Sequence, residues 1–90
     1  MEFEYDPAKS DSNKEKHAID FEEAQVLWDD EDRMVIPARS DSEQRFALLA
    51  LLGDRVWVAF YTVRDTAIRI ISVRRARKNE TELYESGRTR

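Results

Sequence analysis

Apolar residues are sparse in the first twenty positions of the chain and dense in its centre. Phe3 and Tyr5 alternate with glutamates, which predicts a short strand with one buried face. Asp6-Pro7 then begins a helix, because Asp is a favoured N-cap and proline fits the first helical position. We predict that this helix runs from Pro7 to about His17. Its almost entirely polar composition indicates weak anchoring.

A second helix is predicted to begin at Asp20, which forms a capping box with Glu23. The apolar side that makes this helix part of the core consists of Phe21, Ala24, Val26, Leu27 and Trp28. The four consecutive acids of residues 29–32 end the helix. They predict a solvated loop rather than a metal site, since neighbouring side chains cannot all face one ion.

The central part of the chain is rich in β-forming residues. Met34-Val35-Ile36 predicts a short strand that Pro37 stops. Three longer strands follow, Arg45–Leu52, Arg55–Val63 and Ala67–Arg74. The short connections Gly53-Asp54 and Arg64-Asp65-Thr66 make these three strands an antiparallel meander.

Alternation along the last strand assigns its side chains to two faces. Ile68, Ile70 and Ser72 share one face, and Arg69, Ile71, Val73 and Arg75 share the other. Both faces are therefore partly apolar and partly covered. A helical pattern resumes over residues 77–85, with Leu83 and Tyr84 as docking residues, and residues 86–90 are expected to fray. The pattern predicts an α+β fold in which two N-terminal helices pack on a four-stranded antiparallel sheet, followed by a short C-terminal helix.

Composition limits what this chain can be. Its 90 residues predict one small domain, 1–90, and 38% charged residues leave a small core. Without cysteine and with one histidine, the chain lacks the ligands for disulfides or a thiolate zinc site, so no cofactor is expected. The acidic N-terminal segment lacks the apolar stretch of a signal peptide, and no apolar run is long enough to span a bilayer. We therefore expect a cytoplasmic protein.

Charge is distributed unevenly along the chain. Residues 64–90 carry eight Lys or Arg against four Asp or Glu, whereas residues 1–63 carry seven against fifteen. Solubility alone requires only a mixed surface charge. The basic C-terminal part therefore indicates a polyanionic ligand at one end of the molecule.

Four segments of the sequence resemble one known family. FEYDPAKSDSNKEKHAIDFEEA, SEQRFALL, VAFYTVR and IRIISVRRA are similar to segments of the BrnT toxins of bacterial type II toxin-antitoxin systems, over residues 3–84. The resemblance implies a metal-independent ribonuclease with a fold like the RelE and ParE toxins. It also implies neutralisation by BrnA, a ribbon-helix-helix antitoxin that binds operator DNA. The family usually has Trp, Gly and Ala where this chain has Tyr5, Ala18 and Val73, and residues 79–82 dilute the basic charge that relatives carry in the last helix.

The arginines of the basic segment are the stronger candidates for catalysis. Arg64, Arg69 and Arg74, with Arg75 beside them, present planar donors that match phosphate oxygens and stay charged. The alternative is pairing with the acidic N-terminal half, but surface ion pairs contribute only about 0 to 1 kcal/mol. Arg69 interrupts an apolar strand and needs a partner, either Glu43 or a phosphate.

His17 is the candidate general base or acid. A histidine can exchange protons near neutral pH, which suits it to either role. The alternative is a helix C-terminal residue that interacts with the helix dipole. The resemblance, in which Lys-His recurs at this junction, supports the catalytic alternative.

Residues expected to bind flanking RNA are Lys16, Tyr61, Arg75, Arg77 and Lys78. Tyr61 and Trp57 share a strand face, where aromatic rings can stack on bases or pack in the core. Core packing is the better interpretation for Trp57. Glu43 and Arg45, a pair that relatives also have, are either part of the site or an ordinary salt bridge.

The function predicted from these features is a toxin that cleaves RNA and thereby inhibits translation and growth. The alternative is a non-catalytic subunit that modulates DNA binding by a ribbon-helix-helix repressor, which the diluted C-terminal charge favours. Inhibition of DNA gyrase is compatible with the fold of the resembling toxins, but no residue supports it.

Overall fold

A computed structural model describes residues 1–88 of the chain. Its elements are β1 (Glu2–Glu4), α1 (Pro7–His17), a 3₁₀ segment (Glu23–Asp29), β2 (Met34–Ala38), β3 (Arg45–Leu52), β4 (Arg55–Arg64), β5 (Ala67–Arg75) and α2 (Lys78–Arg88). The α+β class is confirmed. Within residues 1–88, no helix has both the length and the apolar character that crossing a bilayer requires.

The sheet has five strands in the order β1-β5-β4-β3-β2 and is mixed. Strands β2 to β5 form antiparallel pairs, but β1 lies parallel to β5, with Phe3 opposite Ile68. The predicted four-stranded antiparallel sheet is therefore wrong in strand number and in the direction of one pair. Alternation identifies a strand but carries no information about its partner. Strand β2 also continues through Pro37 to Ala38, because an edge strand tolerates a residue without an N–H.

The second predicted helix is a 3₁₀ segment. Its capping box is present, since the Glu23 N–H donates to Asp20 Oδ1 and the Asp20 N–H donates to Glu23 Oε1. The buried residues Phe21, Ala24 and Leu27 are spaced by three. That spacing matches the three residues per turn of a 3₁₀ helix and aligns the apolar side chains over the sheet. Val26 falls outside this spacing and is 45% exposed, so its predicted place in the core is wrong.

Helix α1 is firmly anchored, contrary to the expectation from its polar composition. It begins as predicted, with the Ala8 N–H donating to Asp6 Oδ1. The anchors are two buried polar residues. Ser10 accepts a hydrogen bond from the Phe21 N–H, and Asn13 is bound to backbone groups of β5 and of the segment after α1. Polar residues can therefore hold a helix against a sheet when each buried group has a partner.

The two faces of the sheet bury separate apolar clusters. One cluster lies under the 3₁₀ segment and the residues around it and includes Ile19, Trp28, Ile70 and Val73. The other lies under α2, where Tyr84 is 1% exposed. The predicted docking of Tyr84 is thus confirmed, whereas the predicted docking of Leu83 is wrong, because that residue is 43% exposed.

The hydroxyl of Tyr84 fastens α2 to the rest of the molecule. It donates to Asp30 Oδ2, which also accepts from the Leu51 N–H. Burial would raise the pKa of the Asp30 carboxyl, but these hydrogen bonds outweigh it and hold that pKa below its usual value. The acidic loop therefore contributes a structural residue and is not merely solvated. Helix α2 continues to Arg88, so residues 86–88 are helical instead of frayed, and residues 89–90 of that prediction lie outside the described part of the chain.

A β-bulge in β5 changes which face its arginines occupy. Phe60 pairs with Ser72 and Tyr61 with Ile70, so Ile71 is an extra residue between them. Val73 consequently joins the cluster of Ile68 and Ile70. The prediction that Val73 and Arg75 lie opposite those isoleucines is wrong, because strict alternation ends at the bulge.

Candidate functional site

The end of α1 and the end of β5 meet in an open cleft of about 470 Å³. Its lining residues are Glu15, Lys16, His17, Ala18, Arg74 and Arg75. Two segments more than fifty residues apart in sequence thus contribute to one surface. Four of these residues, His17, Lys16, Arg74 and Arg75, are site residues predicted from the sequence.

The position of His17 is fixed by the way α1 ends. Ala18 adopts a left-handed conformation, with φ of 65°, and its N–H donates to the Lys14 carbonyl at 2.9 Å. This is a common helix end, although glycine is the residue that usually occupies it. The chain then turns back toward the sheet at Ile19, leaving Lys16 and His17 exposed at the rim of the cleft.

Asn13 connects both sides of the cleft. Its amide nitrogen donates to the carbonyls of Ile19 and Val73 at 2.8 and 2.9 Å, and its amide oxygen accepts from the Val73 N–H at 3.1 Å. These bonds hold the segment after His17 against the strand that leads to Arg75. Sequence reasoning did not find Asn13, because its partners are distant backbone groups.

Arg75 is an exposed and unpaired cation of the cleft. Its guanidinium carbon lies 5.8 Å from the ring centroid of Trp57, a cation-π contact that orients the side chain. Among residues 1–88, no carboxylate forms an ion pair with it. The bulge in β5 explains this position, because it rotates Arg75 onto the sheet face where α1 packs.

Arg74 is held by an acidic residue. Its Nη1 and Nη2 donate to both carboxylate oxygens of Glu80 at 2.8 and 2.9 Å, and Glu80 also accepts from the Arg77 N–H. The hydrogen bonds from Arg74 lower the pKa of the Glu80 carboxyl, and Glu80 in turn raises the Arg74 pKa. The guanidinium also packs over Phe60. Arg74 therefore fastens the start of α2 to the sheet.

Arg64 and Arg69 lie at the opposite end of β5. Arg64 pairs with Ala67, and Arg69 is six residues from Arg75, a separation of about 20 Å along a strand. Arg69 Nη1 is 3.4 Å from Glu4 Oε1, so its partner in the protein is Glu4 and not Glu43. The structure does not bring these two arginines together with His17. The expectation of a single arginine cluster is wrong because it ignored the length of the strand.

Glu43 and Arg45 do not form the expected salt bridge. Neither is part of an ion pair among residues 1–88, and Glu43 Oε2 and Arg45 Nε are buried without a hydrogen-bond partner in the described chain. Both line a small polar hollow at the start of β3. Trp57, which pairs with Arg75, lies opposite Ala50 near the other end of that strand.

Tyr61 is part of the core. Its ring packs between Trp28 and Phe46, each with a centroid distance of 5.4 Å, and the residue is 7% exposed. Burial raises the pKa of its hydroxyl, although the positive charge of Arg33 partly lowers that pKa again. A base cannot stack on this ring, which contradicts the prediction for Tyr61. Trp57 is buried as expected and supports Arg75 instead.

Exposed cations without an ion pair concentrate at the end of the sheet where the cleft lies. Among the described residues, nine exposed cations form no ion pair, and six of them lie here: Lys9, Lys16, Arg55, Arg75, Arg77 and Lys78. The other three, Arg33, Arg39 and Arg64, do not line the cleft. Arg55 joins this end because the next residue, Val56, accepts a hydrogen bond from the Ala76 N–H. Lys9 and Arg55 were missed from the sequence. Lys9 was detectable, since it lies seven residues before Lys16 and therefore on the same helix face.

Arg75 also borders a second cleft, on the α2 side, of about 560 Å³. Its charges are mixed, because Arg55, Arg75 and Arg88 face Asp54 and Glu85. Arg88 is in addition paired with Glu85 and Asp32. The smaller cleft beside His17 is thus the better anion site, although it is not the larger cavity.

The charged and titratable groups that line the cleft are three cations (Lys16, Arg74 and Arg75), the imidazole of His17 and one carboxylate, Glu15. Within residues 1–88, no three His, Asp or Glu side chains are grouped so that they could hold a metal ion. Arginine and lysine can neutralise a phosphate, and a histidine can move a proton near neutral pH.

Comparison with known families agrees with this chemistry. The model of the family described as ribonuclease toxin, BrnT, of type II toxin-antitoxin system matches residues 5–80. No individual curated protein matches the sequence.

Proposed function

This chain belongs to the BrnT family of ribonuclease toxins from type II toxin-antitoxin systems, and from that premise we propose that it is a metal-independent endoribonuclease whose active site is the cleft between α1 and β5. The observation that carries this proposal is that His17 and Arg75 line one cleft. A proton-transfer group and an unpaired guanidinium are what cleavage of a phosphodiester needs when cations neutralise its charge.

In the proposed reaction the RNA 2′-hydroxyl attacks the neighbouring phosphorus. A new bond forms between the 2′-oxygen and phosphorus, and the bond to the 5′-oxygen breaks. His17 takes the proton of the 2′-hydroxyl or gives a proton to the leaving 5′-oxygen, and water carries out the other proton transfer in the open cleft. The products are a 2′,3′-cyclic phosphate and a 5′-hydroxyl.

Arg75 and Lys16 neutralise the charge that develops on the phosphate oxygens. Arg74 positions the end of β5, because its guanidinium is engaged with Glu80. Arg77 and Lys78 begin α2 beside this end and contact flanking RNA. Arg64, Arg69 and Tyr61 have no role in this scheme, since the first two lie at the far end of β5 and the third is buried.

The overall charge of the protein constrains how it finds RNA. A net charge of −4 gives no long-range attraction to a polyanion, so affinity depends on the local cations of the cleft. We therefore expect binding that weakens as salt rises, with modest association rates.

The wider function follows from the family. A type II system pairs the toxin with a protein antitoxin. We infer that residues 1–90 form one toxin domain of the RelE type, which acts in the cytoplasm and inhibits translation and growth. Its antitoxin is a ribbon-helix-helix protein like BrnA, so operator DNA is contacted only through that partner.

RNA cleavage by the purified protein in EDTA tests the proposal. Cleavage should persist with the chelator and yield 2′,3′-cyclic phosphate ends, whereas the same RNA with deoxyribose at the cleaved position should be inert. The variants His17→Ala and Arg75→Ala should lose cleavage, and Lys14→Gln, on the same helix, should retain it. Activity that requires a divalent ion, or cleavage of the deoxy substrate, would rule the mechanism out.

A second candidate function, a non-catalytic subunit of the repressor complex, has one observation in its favour. Glu80 is one of the acids that reduce the positive charge of α2. Its carboxylate forms an ion pair with the Arg74 guanidinium, which is then not free to bind RNA. Expression without the antitoxin distinguishes the two. A ribonuclease arrests growth, and a binding subunit does not.

A further inference from the structure

A shallow groove of about 200 Å³ extends from the cleft along α1. Its lining residues are Lys9, Ser12, Asn13, Lys16, His17, Ile71 and Ser72. Lys16 and His17 belong to both the groove and the cleft, so the two form one continuous surface. The groove therefore begins at the proposed active site and leads away from it.

Helix geometry sets the spacing of the cations in the groove. Lys9 and Lys16 are seven residues apart, which is close to two helical turns, so both side chains lie on the face of α1 that meets β5. At about 1.5 Å per residue they are about 10 Å apart along the axis. Both are exposed, and neither forms an ion pair among residues 1–88.

Lys14, on the same helix, is engaged elsewhere. Its Nζ binds Glu23 Oε1 at 2.7 Å, and this hydrogen bond raises the Lys14 pKa. It does not line the groove or the cleft. Lys14 is thus a paired lysine of the same helix, with which the unpaired Lys9 and Lys16 of the groove can be compared.

The charge of the groove contrasts with that of the whole chain. None of its lining residues is acidic, although the protein carries 19 Asp and Glu. Ser12 and Ser72 add hydroxyl donors, and the bulge residue Ile71 lines the same surface. A surface with lysines, hydroxyl groups and no carboxylate is suited to a phosphate backbone.

We propose that this groove binds the RNA strand that flanks the cleaved phosphate, with Lys9 contacting a second phosphate. This inference rests on the proposed function of the cleft. A stacked strand rises about 3.4 Å per nucleotide, so a separation of about 10 Å places the second phosphate two or three nucleotides from the first. Lys9 contributes affinity without taking part in the reaction. The enzyme accordingly recognises a strand of several nucleotides rather than an isolated nucleotide.

Salt-dependent binding tests the groove. The probe is a fluorescent 12-nucleotide 2′-O-methyl RNA of random sequence, which lacks the attacking hydroxyl and is not cleaved. The Lys9→Gln variant should bind it about fivefold more weakly, and the slope of log affinity against log salt should fall by about 0.7, the value for one phosphate contact on a single strand. The matched control Lys14→Gln should leave both quantities unchanged, and Arg75→Gln should lower both. On a cleavable RNA, Lys9→Gln should raise KM and leave kcat unchanged.

The results separate this inference from the function on which it rests. One outcome is that Arg75→Gln weakens binding and His17→Ala stops cleavage while Lys9→Gln behaves like Lys14→Gln. The proposed binding of RNA by the groove is then wrong, and the proposed active site is supported. If Arg75→Gln and His17→Ala also behave as wild type, the proposed function itself fails. Loss of antitoxin binding in Lys9→Gln, with RNA binding intact, would assign the groove to the protein partner and overturn the proposal.

Discussion

Asn13 and Val73 are joined by two hydrogen bonds through one side chain. The amide oxygen of Asn13 accepts from the Val73 N–H, and its nitrogen donates to the Val73 carbonyl. A third bond, to the Ile19 carbonyl, uses the remaining amide hydrogen. The side chain is 6% exposed, so none of these partners is easily replaced by solvent. One residue thereby sets the relation between α1 and β5, and with it the shape of the cleft.

Replacing Asn13 by alanine should destabilise the protein strongly. Three buried backbone groups would lose their partner, and each unsatisfied group costs about 1 to 3 kcal/mol when relaxation is incomplete. We expect the free energy of unfolding to fall by about 2 to 4 kcal/mol in urea denaturation. Ser12→Ala, an exposed neighbour on the same helix, should change it by less than about 0.5 kcal/mol. An Asn13→Ala variant as stable as Ser12→Ala would show that the amide does not anchor α1.

The position of the proposed active site predicts which cations matter for toxicity. His17→Ala and Arg75→Ala should abolish growth arrest, because both residues line the cleft. Arg64→Ala and Arg69→Ala should remain toxic, because these arginines lie at the far end of β5. Growth curves after induction, with circular dichroism to confirm folding, measure this. If the Arg64 and Arg69 variants are harmless and the other two are toxic, the site lies at the other end of the sheet.

The pair between Arg74 and Glu80 should contribute to stability and should respond to acid. Both side chains are largely buried, so a double-mutant cycle with Arg74→Gln and Glu80→Gln should give a coupling energy between about 0.5 and 3 kcal/mol. The hydrogen bonds from Arg74 lower the Glu80 pKa in the folded state.

The stabilisation by this pair is therefore complete above the unfolded value of 4.5 and is lost as pH falls through the folded pKa. Thermal unfolding of wild type and Glu80→Gln between pH 3 and 7 checks the sign. The two melting temperatures should converge at low pH. A difference that stays constant over this range would contradict the ion pair.

Replacing Ala18 by glycine should stabilise the chain. A left-handed conformation costs an L-residue such as Ala18 about 1 to 2 kcal/mol, and glycine would remove this cost. Part of the gain in stability is offset because glycine has greater conformational freedom in the unfolded state. We expect a net increase of about 0.5 to 1 kcal/mol in the free energy of unfolding. Ala8→Gly, in the first turn of α1, is the matched control and should destabilise. Loss of stability in both variants would argue against the left-handed conformation at Ala18.

The antitoxin should raise the melting temperature of the toxin, and the rise should increase with the logarithm of the antitoxin concentration above its Kd. A partner that binds only the folded state stabilises it by mass action. Co-expression with the neighbouring gene should yield a complex and remove growth arrest, and RNA should compete with the antitoxin if the partner covers the cleft. Failure of any complex to co-purify, with toxicity unchanged, would remove the main support for an antitoxin encoded beside this chain.

Local signals in the sequence were sufficient for much of this molecule. The Asp6-Pro7 start of α1, the capping box of Asp20 and Glu23, and the hairpin around Gly53-Asp54 each depend on residues within a few positions of one another. Such interactions form wherever the residues occur, so the sequence predicts them. The two arginines that end β5 likewise lie beside the proposed active site, whereas Arg64 and Arg69, of the same basic segment, lie at the other end of that strand.

The remaining features depend on groups that are distant in sequence. Only the folded chain creates these contacts, which are the parallel pairing of β1 with β5, the hydrogen bonds of Asn13 and the ion pair between Arg74 and Glu80. The bulge at Ile71 has the largest consequence, because one extra residue places Arg75 beside His17 instead of on the opposite face. The sequence by itself determined the helices, the strands and the available chemistry. Tertiary structure alone decided which cations meet in one cleft, since strand register and helix docking are set by buried contacts across the whole sheet.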